Sequence, residues 1–252
     1  MTSTLFISDL HLTPERPGAV ESFRRFLDQK ATHASALYLL GDLFETWVGD
    51  DDLALPFNAG VAAELKRLSQ SGVALYFLPG NRDFLVGPDL ASAAGLTLLE
   101  DPTRIDLHGT PTLLAHGDAW CTDDTRYQAF RAQMREPAWR ADILKKPLAE
   151  RHVLAAALRE RSEQAKADKR PEIMDVNPEA ITEAFRRYGV SRIIHGHTHR
   201  PAHHLHLVDG RECERWVLPD WYDAAAGYLA CDASGCHAEV LATEVLATDV
   251  WQ

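Results

Sequence analysis

The chain repeats one local pattern five times: a short apolar segment typical of a buried strand, followed at once by polar residues that can bind a metal ion. Near-continuous apolar strands are typical of a sheet covered on both faces, and ligands of α/β sheets bind beyond the carboxyl ends of the strands. The five segments, each with its polar group, are 5–7 with Asp9 and His11, 37–40 with Asp42, 73–78 with Asn81, Arg82 and Asp83, 112–115 with His116 and Asp118, and 193–194 with His195, His197 and His199. We therefore expect five polar groups to converge on one site.

Helical segments separate several of these strands. Apolar residues recur at helical spacing over about 17–31, and a second helix is expected near 58–70. A third is expected to begin at Pro178 behind the N-cap Asn177 and to end at Gly189. This alternation predicts an α/β sandwich. Beyond about residue 200 we expect a second sheet packed on the first, because four strand-like segments follow one another there: 202–208, 215–218, 228–231 and 238–241.

The segment between His116 and Asn177 departs from this pattern and predicts a helical, basic insertion. From Arg126 to Arg170 it holds 12 Lys and Arg against 6 Asp and Glu. The basic residues could line an anionic ligand or simply form a solvated helix face. Nine apolar residues of the insertion are expected mostly to form its own small core, with about a third of them available to a lipid: Tyr127, Phe130, Met134, Trp139, Leu144, Leu148, Val153, Leu154 and Leu158.

Composition excludes several classes of protein. The net charge of −11 argues against a general nucleic-acid binder. The N-terminus lacks the basic region of a signal peptide, and no apolar segment approaches the roughly 18 residues that span a bilayer, so we expect a cytoplasmic protein. Four scattered cysteines lack the spacing of a zinc site, and we expect all four to be reduced thiols: Cys121, Cys213, Cys231 and Cys236.

The polar groups together offer a set of ligands for two cations. Asp9 and His11 lie two residues apart, so both side chains point to the same side of an extended chain. Asp42 can bridge two ions with its two carboxylate oxygens. Asn81, His116, His197 and His199 add one amide oxygen and three imidazoles. Oxygen and nitrogen ligands without thiolate suit manganese, iron or zinc.

The ordered blocks D-x-H, G-D, G-N-[HR], H and G-H-x-H extend from Asp9 to His199 and resemble those of the calcineurin-like metallophosphoesterases. The resemblance implies a four-layered α/β/β/α sandwich with a two-metal centre. It assigns one metal to Asp9, His11, Asp42 and His199, and the other to Asp42, Asn81, His116 and His197, with Asp42 as the bridge. Such a pair of ions activates a water molecule and stabilises an in-line displacement at phosphorus.

One residue departs from the commonest form of this family. Most members have histidine after Gly-Asn, often considered a general acid, whereas this chain has Arg82. Arginine cannot donate a proton at neutral pH but makes bidentate contacts to phosphate. Arg82 therefore suits a substrate with a good leaving group, such as one half of a diphosphate.

Further motifs narrow the resemblance: 39–45 (LLGDLFE), 116–124 (HGD with CTDD), 174–177 (MDVN) and 195–201 (HGHTHRP). Together they resemble the UDP-2,3-diacylglucosamine diphosphatase family, peripheral enzymes of lipid A biosynthesis at the cytoplasmic face of the Gram-negative inner membrane. The resemblance implies two Mn2+ ions and water attack on the α-phosphorus of UDP-2,3-diacylglucosamine, giving UMP and 2,3-diacylglucosamine 1-phosphate.

The same resemblance assigns roles to individual residues. Its catalytic residues are Asp42, Asn81, Arg82 and His116. Its substrate contacts are Asn81, Arg82, Asp124, Ser162, Lys166, Lys169 and His197. In this interpretation residues 1–252 form a single domain, and the insertion at about 121–176 is a helical cap over the lipid, near an anionic membrane surface. We expect no nucleic-acid or protein partner.

Two other functions are compatible with parts of the sequence. A soluble metallophosphoesterase could cleave a nucleotide such as a diadenosine polyphosphate, although Arg82 and the lipid-sized insertion argue against it. A catalytically inactive scaffold would not need a full set of metal ligands. We expect the other histidines to have supporting or surface roles: His195 beside the site, and His203, His204 and His206 on the surface.

Overall fold

The structure, a computed structural model, describes residues 3–167, 171–222 and 226–241. The first sheet consists, within these residues, of β1 (Thr4–Ile7), β2 (Ala36–Leu39), β3 (Ala74–Phe77), β4 (Thr97–Leu98), β10 (Ala226–Asp232) and β11 (Gly235–Leu241). The second consists of β5 (Thr103–Leu107), β6 (Thr110–Leu114), β7 (Arg192–His195), β8 (Ala202–Val208) and β9 (Arg211–Val217). Their spatial orders are β11-β10-β1-β2-β3-β4 and β5-β6-β7-β9-β8.

The helices connect these strands and cover the sheets. They are α1 (Pro17–Gln29), α2 (Pro56–Gln70), α3 (Pro88–Ala94), α4 (Thr125–Arg135), α5 (Pro137–Leu144), α6 (Leu148–Ala167) and α7 (Pro178–Tyr188). The three helices expected from the sequence are confirmed as α1, α2 and α7. At α7 the side chain of Asn177 accepts a hydrogen bond from Ala180 N at 3.0 Å, and Gly189 ends the helix in the left-handed conformation.

Three apolar clusters separate four layers. One packs the first sheet against α1 and α2, through residues such as Leu37 and Phe26. A second packs β6 and β7 against α7, and a third lies between the two sheets, where Phe6 and Leu40 meet Leu114. The order of layers is helix, sheet, sheet, helix, so the predicted α/β/β/α sandwich is confirmed. No helix among the described residues is long and apolar enough to cross a membrane.

The expected second sheet packed on the first is present, but the carboxyl-terminal strands are divided between the two sheets. β8 and β9 join β5, β6 and β7, whereas β10 pairs antiparallel with β1 and β11 with β10. Apolar patterning identifies a strand but not its partner, because pairing depends on which sheet edge is free. Here one pair of carboxyl-terminal strands extends the first sheet beside β1, and the other pair extends the second sheet beside β7.

The expectation of four reduced cysteines is also wrong. Cys231 and Cys236 form a disulfide between β10 and β11, whereas Cys121 and Cys213 are free and buried. The antiparallel pairing places Cys231 directly opposite Cys236, with their Cα atoms 4.0 Å apart. A spacing of four intervening residues does not reveal a hairpin without knowledge of the strands on either side.

The segment from α4 to α6, here called the cap, is tied to the rest of the protein by a buried arginine. Arg151 on α6 is 3% exposed and donates hydrogen bonds to Val48 O, to Lys146 O and to both carboxylate oxygens of Asp51. The next residue, His152, contacts the buried Asp52 at 2.6 Å. Two consecutive residues of α6 thus contact two consecutive aspartates after β2.

We expect Arg151→Ala to lower the free energy of unfolding by about 2–4 kcal/mol, because it leaves a buried carbonyl and a carboxylate without their donor. Denaturant titration at fixed metal concentration measures this difference. Lys145→Ala removes an exposed ion pair with Asp142 and should cost no more than about 0.5 kcal/mol. Equal midpoints for the two variants would contradict this role for Arg151.

Candidate metal centre

Loops from both sheets meet at the candidate site. β1, β2 and β3 are parallel neighbours in one sheet, and β6 and β7 in the other, so their carboxyl ends lie together. Within the first sheet His11 N donates to Asp42 O at 2.9 Å. Between the sheets His197 N donates to Asp9 Oδ2 at 2.8 Å. The convergence expected from the sequence is thus observed, although the five loops come from two sheets.

The backbone at this site is strained. Five of the candidate ligands adopt positive φ angles between 48° and 69°, a backbone region that residues other than glycine rarely occupy. They are Asp9, His11, Asp42, His197 and His199. Such conformations cost of order 1–3 kcal/mol each and concentrate at functional sites. Gly80 and Gly196 permit the close approach of loops, since an added Cβ would lie 2.2 Å from Asp42 Oδ1 or from Asp9 Oδ2. Local backbone strain thus accompanies the close approach of these side chains.

Candidate ligand atoms fall into two groups. The donors of Asp9, His11 and His199 all lie within 4.8 Å of one another, and so do those of Asp9, Asp42 and His116. Asp42 Oδ1 lies 3.8 Å from His116 Nε2, and Asp42 Oδ2 lies 3.8 Å from His11 Nε2. Because its two oxygens face different histidines, Asp42 occupies the position expected of a bridging ligand.

Asn81 and His197 both contact His116, a member of the second group. Asn81 Oδ1 lies 2.9 Å from His116 Nε2, while His116 Nδ1 lies 3.0 Å from Leu40 O. The contact with Leu40 favours a proton on Nδ1, which leaves Nε2 directed toward Asn81 and Asp42. The His197 ring packs edge-on against His116, with their centroids 4.9 Å apart. The donor atoms of His197 are thus not part of either tight group, and the link of its side chain to the second group is this ring contact with His116.

Burial and the neighbouring charges shift the pKa values of the candidate ligands. Burial raises the pKa of Asp42 to about 7, with Asp83 and Asp9 adding to the shift and His116 opposing it. Burial works against protonation of His116, yet Asp42 and Asp9 outweigh it and raise its pKa to about 9. Burial and the nearby His116 lower the pKa of His197 to about 3. The site holds more carboxylates than positively charged side chains, and a bound divalent metal ion would balance this negative charge.

Asp83 shapes the loops that carry these ligands. Its buried carboxylate accepts hydrogen bonds from Gly80 N at 2.7 Å, Leu43 N at 2.8 Å and Asp42 N at 3.3 Å. Arg82 N donates in turn to Asp42 Oδ1 at 2.8 Å. Hydrogen bonds to two carboxylates therefore join the loops after β2 and β3. One carboxylate, Asp83, lies in the loop after β3, and the other, Asp42, lies in the loop after β2.

Two carboxylates beside the ligand histidines were not identified from the sequence. Asp220 Oδ2 lies 3.2 Å from His199 Nδ1, on the side of the ring away from Asp9. Glu45 Oε2 lies 3.6 Å from His11 Nδ1. Carboxylates behind metal-binding histidines orient the ring and fix its tautomer. The available signal was their position directly after strand-like segments, as with the ligands themselves.

A cavity of about 350 Å³ extends from this centre beneath the cap. Asn81 and Arg82 line it, and Ser162 lies on its wall. Six of the nine apolar cap residues also line it, so the expectation that most would form a separate core is wrong: Tyr127, Phe130, Met134, Trp139, Leu154 and Leu158. These six cap side chains line the cavity together with residues outside the cap, such as Trp47 and Phe84.

The other predicted residues have varied positions. Asp124 is the N-cap of α4, where its side chain accepts a hydrogen bond from Tyr127 N at 3.1 Å. The side chain of Lys166 and all of Lys169 lie outside the described residues. His195 is buried, with Nδ1 2.9 Å from Gly196 O and Nε2 3.0 Å from Arg215 Nη1, which places it behind the site as expected. His203 stacks on Trp216 at the sheet surface.

With the fold and the centre described, comparison with known proteins identifies the family. The model of the calcineurin-like phosphoesterase family matches residues 2–201, and the chain belongs to this family. Curated relatives named UDP-2,3-diacylglucosamine hydrolase are about half identical to it. One from Aromatoleum aromaticum is 52% identical, covering 92% of this chain and 94% of the relative. One from Stenotrophomonas maltophilia K279a is 50% identical, covering 96% and 100%.

We expect the metal-free protein to lose stability as the pH rises from 6.5 to about 9. The pKa of His116 is raised to about 9 in the folded state, so its contribution is complete below the unfolded value of 6.5 and is lost as the pH rises through 9. Thermal unfolding after chelation measures the loss. Asp42→Asn removes the strongest attraction acting on His116, so the decline should be shallower in that variant. A melting temperature that rises over this interval would contradict the charge balance.

Proposed function

We propose that this chain hydrolyses the diphosphate of UDP-2,3-diacylglucosamine, giving UMP and 2,3-diacylglucosamine 1-phosphate for lipid A biosynthesis. The observation that carries the proposal is the apolar cavity that ends at Asn81 and Arg82 beside the candidate metal ligands. A substrate with a nucleoside diphosphate at one end and two acyl chains at the other matches a cavity that is apolar along its wall and polar at the end near the candidate metal ligands. The two relatives described above carry the name of this activity over nearly their whole lengths.

The donor set fits a pair of Mn2+ ions. Asp9, His11, Asp42 and His199 would hold one ion, and Asp42, Asn81, His116 and His197 the other. Oxygen and imidazole donors without thiolate favour this class of ion. Once bound, two such ions supply an activated water and bind phosphoryl oxygens. The low pKa of His197 keeps its imidazole neutral, as a ligand must be.

Arg82 acts on the diphosphate between the two halves of the substrate. Its backbone N–H is held by Asp42, so the side chain extends from a fixed point into the cavity. Its guanidinium neutralises charge that develops on phosphoryl oxygens during attack on the α-phosphorus. The departing sugar phosphate is a good leaving group and does not require a proton from an acid at this position. Asn81 and His197 flank the same phosphate.

The cap cavity binds the acyl chains. Its aromatic and aliphatic lining offers burial worth about 0.8 kcal/mol per methylene group. Ser162 on the cavity wall, Asp124 at the N-terminus of α4, and Lys166 and Lys169 would contact the substrate. The cap is then a lid within one domain rather than an independent unit.

Mass spectrometry of the products from a mixed set of nucleotides and UDP-lipids tests the proposal. We expect UMP and the lipid 1-phosphate from UDP-2,3-diacylglucosamine, with 18O from labelled water recovered in UMP. Cleavage of a diadenosine polyphosphate in preference to the lipid would support the nucleotide hydrolase instead. No turnover of any substrate at saturating Mn2+ would indicate a scaffold.

Replacement of Arg82 by alanine should lower kcat by roughly 10²–10³-fold, the range seen when a donor to transition-state charge is removed. Mn2+ content should not change, because the contact to Asp42 uses the backbone. Arg82→His is the informative comparison, since histidine is commoner at this position in the family. Wild-type activity of Arg82→His on the UDP-lipid would refute the link between arginine and the diphosphate leaving group.

Shorter acyl chains should lower kcat/KM progressively, because each methylene removed forfeits burial in the cap cavity. UDP-N-acetylglucosamine, which lacks both long chains, should be a poor substrate. Steady-state kinetics over a chain-length series measures the effect. If UDP-N-acetylglucosamine were cleaved as efficiently as the diacylated compound, the cap would be only a structural cover.

The cap also presents a surface for an anionic membrane, and we propose that the enzyme acts at the cytoplasmic face of the inner membrane. Leu144 is 44% and Val153 71% exposed, and the exposed Lys145 and Lys146 follow Leu144. Each lysine near such a surface contributes about 1 kcal/mol. Cosedimentation with anionic vesicles should weaken with salt and with Lys145→Glu plus Lys146→Glu. Exposed Arg104, on β5, provides the control as Arg104→Glu. Equal vesicle binding by the control and the double variant would contradict this surface.

A further inference from the structure

We propose that Glu45 is a positioning residue that aligns the metal ligand His11, the phosphate-binding Arg82 and the cap residue Arg159 around one carboxylate. The inference rests on the proposed function, because it assumes that an anionic diphosphate binds where these three side chains meet. It adds a direct electrostatic connection between the cap and the metal centre.

The backbone fixes Glu45 beside His11. Glu45 N donates to Leu12 O at 3.1 Å, and Leu12 N donates to Leu43 O at 2.9 Å. Leu12 also forms a parallel bridge with Phe44, so the loops after β1 and β2 continue side by side beyond the sheet. The Glu45 side chain is only 8% exposed. The backbone of Glu45 is therefore fixed beside the loop that carries His11, and its side chain is buried there.

Three groups from three parts of the chain face this carboxylate. Oε2 lies 3.6 Å from His11 Nδ1, in the loop after β1. Oε1 lies 2.9 Å from Arg159 Nη1 on α6 and 4.0 Å from Arg82 Nη1 in the loop after β3. Removal of this single charge would therefore affect the metal ligand and both arginines together.

The effect on His11 concerns its tautomer. His11 Nε2 faces Asp42 Oδ2 at 3.8 Å and Asp9 Oδ1 at 4.0 Å, while Nδ1 faces Glu45. The negative potential of Glu45 favours the proton on Nδ1, which leaves the lone pair of Nε2 directed to the metal position. Loss of a carboxylate behind a ligand histidine typically weakens metal binding by 10–100-fold.

The effect on the arginines concerns their direction. Each guanidinium has five N–H donors, so a contact with Glu45 leaves others available for phosphate oxygens. The Arg159 side chain is 45% exposed, and its contact with buried Glu45 restrains it at the cavity wall. Restraint before binding reduces the conformational entropy lost when the diphosphate arrives.

A purely mechanical role in attaching the cap does not require Glu45. Arg151 binds Asp51, and Arg131 on α4 donates to Asp118 at 2.8 Å. These contacts lie on other parts of the cap and do not involve His11. The cap should therefore stay attached when Glu45 loses its charge.

The first test is calorimetric titration of the metal-stripped full chain with Mn2+. We expect Glu45→Gln to weaken Mn2+ binding by about 10–100-fold at an unchanged melting temperature of the metal-free protein. Glu45→Asp keeps the charge and should recover part of the affinity. Asp51→Asn is the matched control, since it removes a carboxylate from a cap contact away from His11 and should bind Mn2+ within about twofold of wild type. Wild-type affinity in Glu45→Gln would overturn the proposal.

The second test is a double-mutant cycle of Glu45→Gln and Arg159→Gln, read as kcat/KM at saturating Mn2+. We expect the double variant to be within about twofold of the weaker single variant, because both changes disrupt one arrangement. Fully additive effects would overturn the coupling. The Mn2+ titration needs no substrate, so failure of the wild type to cleave UDP-2,3-diacylglucosamine would refute the proposed function without affecting that measurement.

Discussion

The structure depends on a group of buried carboxylates at the junction of its two sheets. Asp9, Asp42 and Asp83 are almost completely removed from water, where isolated charges are costly. Backbone N–H groups stabilise Asp83, the N–H of His197 stabilises Asp9, and that of Arg82 stabilises Asp42. The hydrogen bonds to Asp9 and Asp42 also connect four of the five loops at the site. Cations complete the charge balance, so the same acids organise the fold and prepare a metal centre.

In the cap, too, carboxylates are stabilised by contacts that also hold parts of the chain together, and here the partners are arginines. Arg131 and Arg135 on α4 contact Asp118, two residues beyond His116, and Arg151 on α6 contacts Asp51. Much of the positive charge of the cap is therefore used within the protein, which its sequence alone did not indicate. Lys145 and Lys146 remain exposed, and they are the charges on which the proposed membrane contact rests.

The sequence predicted the layered fold and the convergence of the site because strand-end residues leave a local signal. It did not predict that β10 and β11 would extend the first sheet, since pairing is decided by distant sheet edges. The disulfide between Cys231 and Cys236 was missed for the same reason. Glu45 and Asp220 were missed because a carboxylate that acts through a histidine has no spacing of its own. The residues that line the cavity were not predicted, because they depend on how the cap helices are oriented relative to the rest of the protein. The apolar periodicity within the cap does not determine that orientation.

The proposed two-metal centre is tested most directly by anomalous diffraction at the manganese edge from crystals grown with Mn2+. We expect two peaks about 3.5–4 Å apart, the separation typical of two-metal hydrolytic sites, on either side of the Asp42 carboxylate. Asp42→Asn crystals should lose at least one peak while keeping the sandwich intact. A single peak in the wild type, or peaks away from Asp42, would contradict a centre bridged by this residue.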